Sequence, residues 1–182
     1  SEALSQQTRL LIVNIPNNPT GAIWTMDELD ELAALVKDLD TLILSDEVYG
    51  PMHYDGKQAL SILHQKELRK RSLVTASFGK ILHATGWKIG YLIASSDWTR
   101  EIRKVHQYDV FSTGAPFQEG ISRFLSSPHG AAHLEELAGF YQEKRDRLLT
   151  GLAGSSWSFT SAEAGYFQVL DYSAFDDRDD RS

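Results

Sequence analysis

Between Arg9 and Ser45 a short apolar run, a stretch of helical period and a second short apolar run follow one another, and that order leaves few folds open. Arg9 to Ile15 (RLLIVNI) is aliphatic and β-branched and reads as a buried strand. The prolines, asparagines and glycine of 16–21 mark a turn. Thr25 and Glu28 stand at capping-box spacing. Met26, Leu29, Leu32, Ala33, Val36 and Leu39 then recur at helical intervals, and Thr41 to Ser45 (TLILS) makes a second buried strand. Strand, helix, strand in that order predicts a parallel sheet with a right-handed crossover.

The pattern continues with strands at Ser72 to Ala76 and Gly90 to Ala94, separated by 13 polar, Gly-rich residues. Helices are predicted from about Asp97 to Tyr108, Pro116 to Leu125 and Ala131 to Leu152. Trp157 to Phe159 and Tyr166 to Leu170 read as two more strands. The change from alternating α/β to one long helix followed by strands predicts a boundary near Ala131, giving units 1–130 and 131–175. The acidic stretch 176–182 has no apolar face and is expected to be a disordered tail. Neither end reads as a natural terminus, so an internal fragment is expected.

Composition narrows the function classes. Of the 182 residues, 42% are hydrophobic and 24% charged, as in ordinary globular proteins. No apolar run approaches the length of a bilayer span, and the first residues lack a signal pattern. Cysteine is absent, which excludes disulfides and thiolate nucleophiles and fits a cytoplasmic location. The net charge of −7, without a basic stripe, argues against nucleic-acid binding.

Three polar features follow three of the predicted strands: Asn17-Asn18-Pro19-Thr20-Gly21, Asp46-Glu47-Val48-Tyr49 and Ser77-Phe78-Gly79-Lys80. In a parallel sheet the carboxyl ends of the strands lie along one edge, where open α/β sheets bind ligands. An amide, a carboxylate, a phenol, a hydroxyl and an amine are thereby expected in one place. Such a set suits a ligand with a protonatable ring nitrogen, a ring oxygen, an aldehyde and a phosphate.

In that order, NNPTG, SDEVYG and SFGKILHATGWKIGY resemble the signature segments of fold-type I aminotransferases. The resemblance runs from about Thr8 to Tyr172 and is nearest to the branch containing methionine and kynurenine aminotransferases. It implies an α/β fold: part of the large domain, a mostly parallel sheet with flanking helices, followed by the start of a small α+β domain. It also implies pyridoxal 5'-phosphate (PLP) as cofactor. Lys80 would hold the cofactor as a Schiff base and shuttle the substrate Cα proton. Asp46 would pair with the pyridinium nitrogen, Asn18 and Tyr49 with the ring 3-oxygen, and Ser77 and Lys88 with the phosphate. The implied reaction moves an amino group from an L-amino acid, methionine or aromatic, to a 2-oxo acid, in a homodimeric full-length enzyme.

Members of this family are about twice as long as this chain. The resemblance places the main phosphate-cup loop, the ring-stacking aromatic and a substrate-carboxylate arginine in the remainder. Arg178 and Arg181 are not assigned that last role. The isolated chain is therefore expected to be a poor catalyst.

Other readings compete. Asp46-Glu47 after the run TLILS looks like a Walker B site, but no Gly-x4-Gly-Lys-Ser/Thr segment accompanies it. His129, His133 and Glu136 share a helix face with metal-ligand spacing, yet no fourth ligand suggests itself; they read as exposed helix residues, and no metal is expected. His83 reads as a site-wall residue, Lys88 beside Trp87 could form a surface cation–π pair, and Tyr108, Phe111 and Phe117 as core or dimer-interface packing. A carbon–sulfur β-lyase, the PLP-sensing domain of a transcription regulator and a folded but inactive truncation are the functional alternatives.

Overall fold

The computed structural model describes residues 4–58, 60–176 and 178. The predicted tail 176–182, Arg181 included, lies almost wholly outside the described residues. Its described part, Arg178, pairs with Asp176.

Four strands form one sheet in the order β1-β2-β3-β4, with β1 at Leu10–Asn14, β2 at Leu42–Asp46, β3 at Ser72–Ser77 and β4 at Gly90–Ile93. β1, β2 and β3 are parallel, with Asn14 opposite Asp46 and Asp46 opposite Thr75. β4 runs antiparallel to β3, pairing Ser77 with Gly90, so the sheet is mixed. A return within so few residues permits that direction without a long crossover. The intervening stretch is not mere loop. It forms the short helix α3 (Phe78–Ile81) and a 3-10 turn (Thr85–Trp87).

Helix α1 (Met26–Val36) connects β1 to β2. Its capping box forms as predicted: Thr25 Oγ1 accepts from Glu28 N, and Glu28 accepts from Thr25 N. The helix stops at Val36, before Leu39. Leu29, Leu32 and Val36 pack against Ile43 of β2 and Val74 of β3. Ile62 and Leu68, from a 3-10 turn (Ile62–His64) and the short helix α2 (Lys66–Arg69), complete this core. Fully burying each such side chain contributes about 1.5–3 kcal/mol.

The period-2 alternation of the strands sends Leu11, Val13 and Ile43 into that core and Leu10, Ile12, Leu42 and Leu44 to the other face. Ile12 there is 64% exposed. Among the described residues the sheet is covered on one face and open on the other.

The chain continues through α4 (Ser96–Asp109), α5 (Ala115–Leu125) and α6 (Pro128–Leu152). α6 begins three residues before the predicted start because Ser127 caps it, accepting from Gly130 N at 3.1 Å, with Pro128 in its first turn. It runs unbroken across the expected 130/131 boundary. Leu137 of α6 packs with Tyr49, Met52 and Ile81 in a second core.

Several expectations change. Trp157 to Phe159 and Tyr166 to Leu170 are not strands. Ser158 instead makes an isolated bridge to Asp171, one residue beyond the second run. Gln168 takes the ladder's place, accepting from Ala162 N and donating to the carbonyls of Thr160 and Val169. Of the two readings of Tyr108 and Phe111, core or dimer interface, the first is excluded, since they are 88% and 79% exposed. His133 is not a free surface histidine: its Nε2 lies 2.6 Å from the Ile81 carbonyl oxygen and docks α6 on α3. Trp87 packs its ring on Phe117, 5.2 Å between centroids, rather than with Lys88. Among the described residues no helix is long and apolar enough to cross a membrane, and no histidine–carboxylate cluster could hold a metal.

Candidate active site

The open face of the sheet ends, at the carboxyl edge of β1–β3, in a cavity of about 470 Å³ lined by Asn14, Asn18, Asp46, Tyr49, Ser77 and Lys80, among others. Strand alternation explains the polar lining. Asn14, Asp46 and Thr75 stand in register on the open face, each at or near the end of its strand.

Asp46 Oδ1 accepts from Val48 N at 3.2 Å, which fixes the carboxylate at the strand end. Its neighbour Glu47 does different work. Glu47 Oε1 accepts from Ser45 Oγ, Ser61 Oγ and Ile62 N at 3.0–3.1 Å and tethers the 61–62 turn. The acidic pair thus divides between two surroundings, which dissolves its likeness to a nucleotidase motif. Asn14 ties the first turn to the sheet: its side-chain amide donates to Asp46 O, and its Oδ1 accepts from Asn18 N at 2.8 Å.

Tyr49 is 3% exposed. Burial pushes its phenol well above the usual range, reinforced by the neighbouring Tyr166 hydroxyl and the Asp46 charge, while Asn18 acts in the opposite direction. Ser77 caps α3 through its Oγ, which accepts from Gly79 N at 3.0 Å and donates to Ile89 O at 3.3 Å. Thr85 Oγ1 donates to Gly79 O, closing the loop around α3. A Cβ on Gly79 would stand 3.1 Å from both Ser77 Oγ and Thr85 Cα, so the close approach that presents Lys80 needs a small residue there. The Lys80 ammonium lies 6.0 Å from the centre of the Tyr166 ring.

Five of the six predicted residues (Asn18, Asp46, Tyr49, Ser77, Lys80) therefore line one cavity. Lys88 does not line it. It is exposed, with φ 54°, at the end of the 3-10 turn, one residue before the Ile89 carbonyl that meets Ser77. His83 faces α6, its Nε2 3.0 Å from the Tyr141 hydroxyl. Sequence reading missed Asn14 and Tyr166. Asn14 had a usable signal, a polar residue near the end of an apolar strand. Tyr166 had none, since the site residues it meets, Tyr49 and Lys80, are more than eighty residues away.

No arginine is among the described residues lining this cavity. Arg145 is engaged elsewhere, with both terminal nitrogens on Asp55 at 2.6 Å and one also on Ala162 O. The lining offers an amine, a carboxylate, a phenol, a carboxamide and a hydroxyl in a volume typical of cofactor pockets.

Comparison with known proteins gives the lineage. The family described as "Aminotransferase class I and II" matches residues 1–179. The chain belongs to the class I and II aminotransferases. These enzymes use PLP. Methionine aminotransferase of Escherichia coli K12 is 37% identical over 177 residues, which is 97% of this chain and 45% of that protein. Kynurenine–oxoglutarate transaminase of Dictyostelium discoideum is 34% identical over 94% of this chain and 40% of its own length. Among solved structures, an Escherichia coli protein identified with a methionine aminotransferase function superposes with a TM-score of 0.92 at 37% identity, over 99% of this chain and 47% of that one. A Thermus thermophilus aspartate aminotransferase double mutant superposes at 0.87 with 26% identity, over 97% and 46% respectively. This aminotransferase chain thus spans under half the length of the relatives it matches.

Proposed function

We propose that this chain carries the cofactor-holding part of a PLP-dependent aminotransferase that moves an amino group from an L-amino acid, methionine or aromatic, to a 2-oxo acid. The observation that carries the reading is the convergence of Lys80, Asp46, Tyr49, Asn18 and Ser77 on one cavity. The donor set fits the cofactor group by group. A carboxylate suits a ring nitrogen, a phenol and a carboxamide suit a ring oxygen, and an amine suits an aldehyde. When bound, PLP supplies an electron sink for the carbanion left at the substrate Cα.

The residues divide the work. Asp46, already held by Val48 N, keeps a proton on the ring nitrogen. Tyr49 and Asn18 would hold the 3-oxygen side, and Ser77 would bind the phosphate. Lys88 joins Ser77 there as a point charge rather than a fork, which requires its exposed side chain to turn toward the cavity. Lys80 would supply the amine that holds the aldehyde group, and the same amine would take the proton from the substrate Cα and return it at the acceptor carbon. In the full-length parent we infer a homodimer, with 1–130 in its large domain and 131–175 beginning its small one. The lack of cysteine fits a reducing cytoplasm.

The test begins with PLP added to the 182-residue chain. A visible absorbance band and, after borohydride reduction, a phosphopyridoxyl mass on the peptide carrying Lys80 are expected, and both vanish in Lys80→Ala. Labelling spread over other lysines, with no band, would overturn the reading. In the full-length parent, 2-oxo acid release from methionine should require an amino acceptor; release without one would mean a lyase.

A further inference from the structure

The segment after α6 returns to the cavity through one strap. Gly165, at φ +77°, donates its N–H to Met52 O at 2.8 Å, and its carbonyl accepts from the Tyr54 hydroxyl. Tyr54 N in turn donates to Glu163 O. Both polar groups of the Gly165 backbone are therefore held by the loop that follows β2, the same loop that carries Tyr49. The left-handed φ favours glycine, and an added Cβ would sit 3.9 Å from the Tyr49 ring.

The next residue is aimed by this strap. The Tyr166 ring meets Tyr49 edge-to-face, 5.4 Å between centroids at 89°, and lies 6.0 Å from the Lys80 ammonium. Phe167 and Tyr141 pack on Tyr166 at 4.8 and 5.4 Å. Tyr166 is thus fixed from behind by aromatic rings and faces the buried phenol of the site in front.

We propose that Tyr166 is a positioning residue for Tyr49: its ring holds the Tyr49 ring edge-on, so that the phenol is pre-set to donate toward the cofactor's ring oxygen. The proposal rests on the PLP reading of the cavity for its destination, but the phenol pair itself is a property of the chain alone. The charge groups facing Tyr49 are Asp46 from β2 and Lys80 from α3, with Asn18 as the neutral partner from the first turn.

Two measurements test this. In the unloaded chain labelled with 13Cζ-tyrosine, the Tyr49 resonance, identified by its loss in Tyr49→Phe, should shift in Tyr166→Leu, which removes the ring, and stay in place in Tyr166→Phe, which keeps it. Tyr141→Phe should leave it in place. In the second, PLP and its 3-deoxy analogue are titrated against the same variants. Tyr166→Leu should weaken PLP about threefold to tenfold, the effect of one ordinary hydrogen bond from a displaced Tyr49, and leave the 3-deoxy analogue unchanged. In the Tyr49→Phe background, Tyr166→Leu should weaken PLP no further. An unmoved Tyr49 resonance, or equal weakening of both ligands, would overturn the proposal while leaving the cofactor reading intact. A coupled resonance in a chain that binds neither ligand would overturn the cofactor reading and, with it, the pair's assigned destination.

Discussion

Gly21 shows how narrowly single residues are constrained around the cavity. Its φ is +72°, and an added Cβ would lie 2.5 Å from Ala162 Cβ and 2.9 Å from Ala164 O. The first turn and the segment after α6 touch backbone to backbone there, with Glu163 N donating to Gly21 O. Gly21→Ala should cost about 2 kcal/mol from strain and overpacking, read as a lower urea midpoint. At Asp46 the loss is of another kind. Asp46→Asn keeps the shape and removes the charge, so the fold should be unchanged while PLP affinity falls about tenfold to a hundredfold, the range for a charged hydrogen bond. Residue identity at the strand ends was legible in the sequence, because Asn18, Asp46, Tyr49, Ser77 and Lys80 each follow an apolar run and strand geometry gathers them. Tyr166 was not legible. Which of the seven tyrosines meets Tyr49 depends on a tertiary strap that no local pattern encodes.

At the level of elements, α6 is anchored by Arg145. Its side chain is 8% exposed, bonds Asp55 with both terminal nitrogens, and lies over the Tyr54 ring at 4.9 Å. Arg145→Met keeps the apolar stem and removes the ion pair; the expected loss is about 2 kcal/mol. The guanidinium also holds the Asp55 carboxyl below its usual range. The folded value lies under the unfolded one, so this contribution is present above the ordinary carboxylate range and is lost as pH falls through the depressed value. Arg145→Met should therefore flatten the acid limb of stability against pH, measured by thermal melts between neutral and acid pH. The four long helices and the four strands were legible because their apolar periods are long enough to read, and Thr25 announces its own cap; the four-residue helices α2 and α3 are too short to show a period. The two C-terminal strands were misread for a physical reason. Aromatic alternation in 157–170 gives the pattern of a ladder, but Gln168 satisfies the backbone groups that a ladder would use.

On the scale of the whole molecule, the sheet presents Leu10, Ile12 and Leu92 on a face that no described element covers. Contiguous apolar surface and unpaired edge strands promote association. The isolated chain should self-associate with rising concentration, and Ile12→Lys should shift its sedimentation toward the monomer. The same face carries the mouth of the cavity, because Asn14, Asp46 and Thr75 share register across three strands. That shared register makes the chain unevenly tolerant of insertions and deletions. One residue added within β2 would turn Asp46 toward the helix-covered side and send Ile43 outward, so fold and chemistry would fail together. Residues added in the exposed 153–156 turn would disturb neither. Natural length variation in such chains should accordingly collect after α6 and be absent between Leu42 and Asp46.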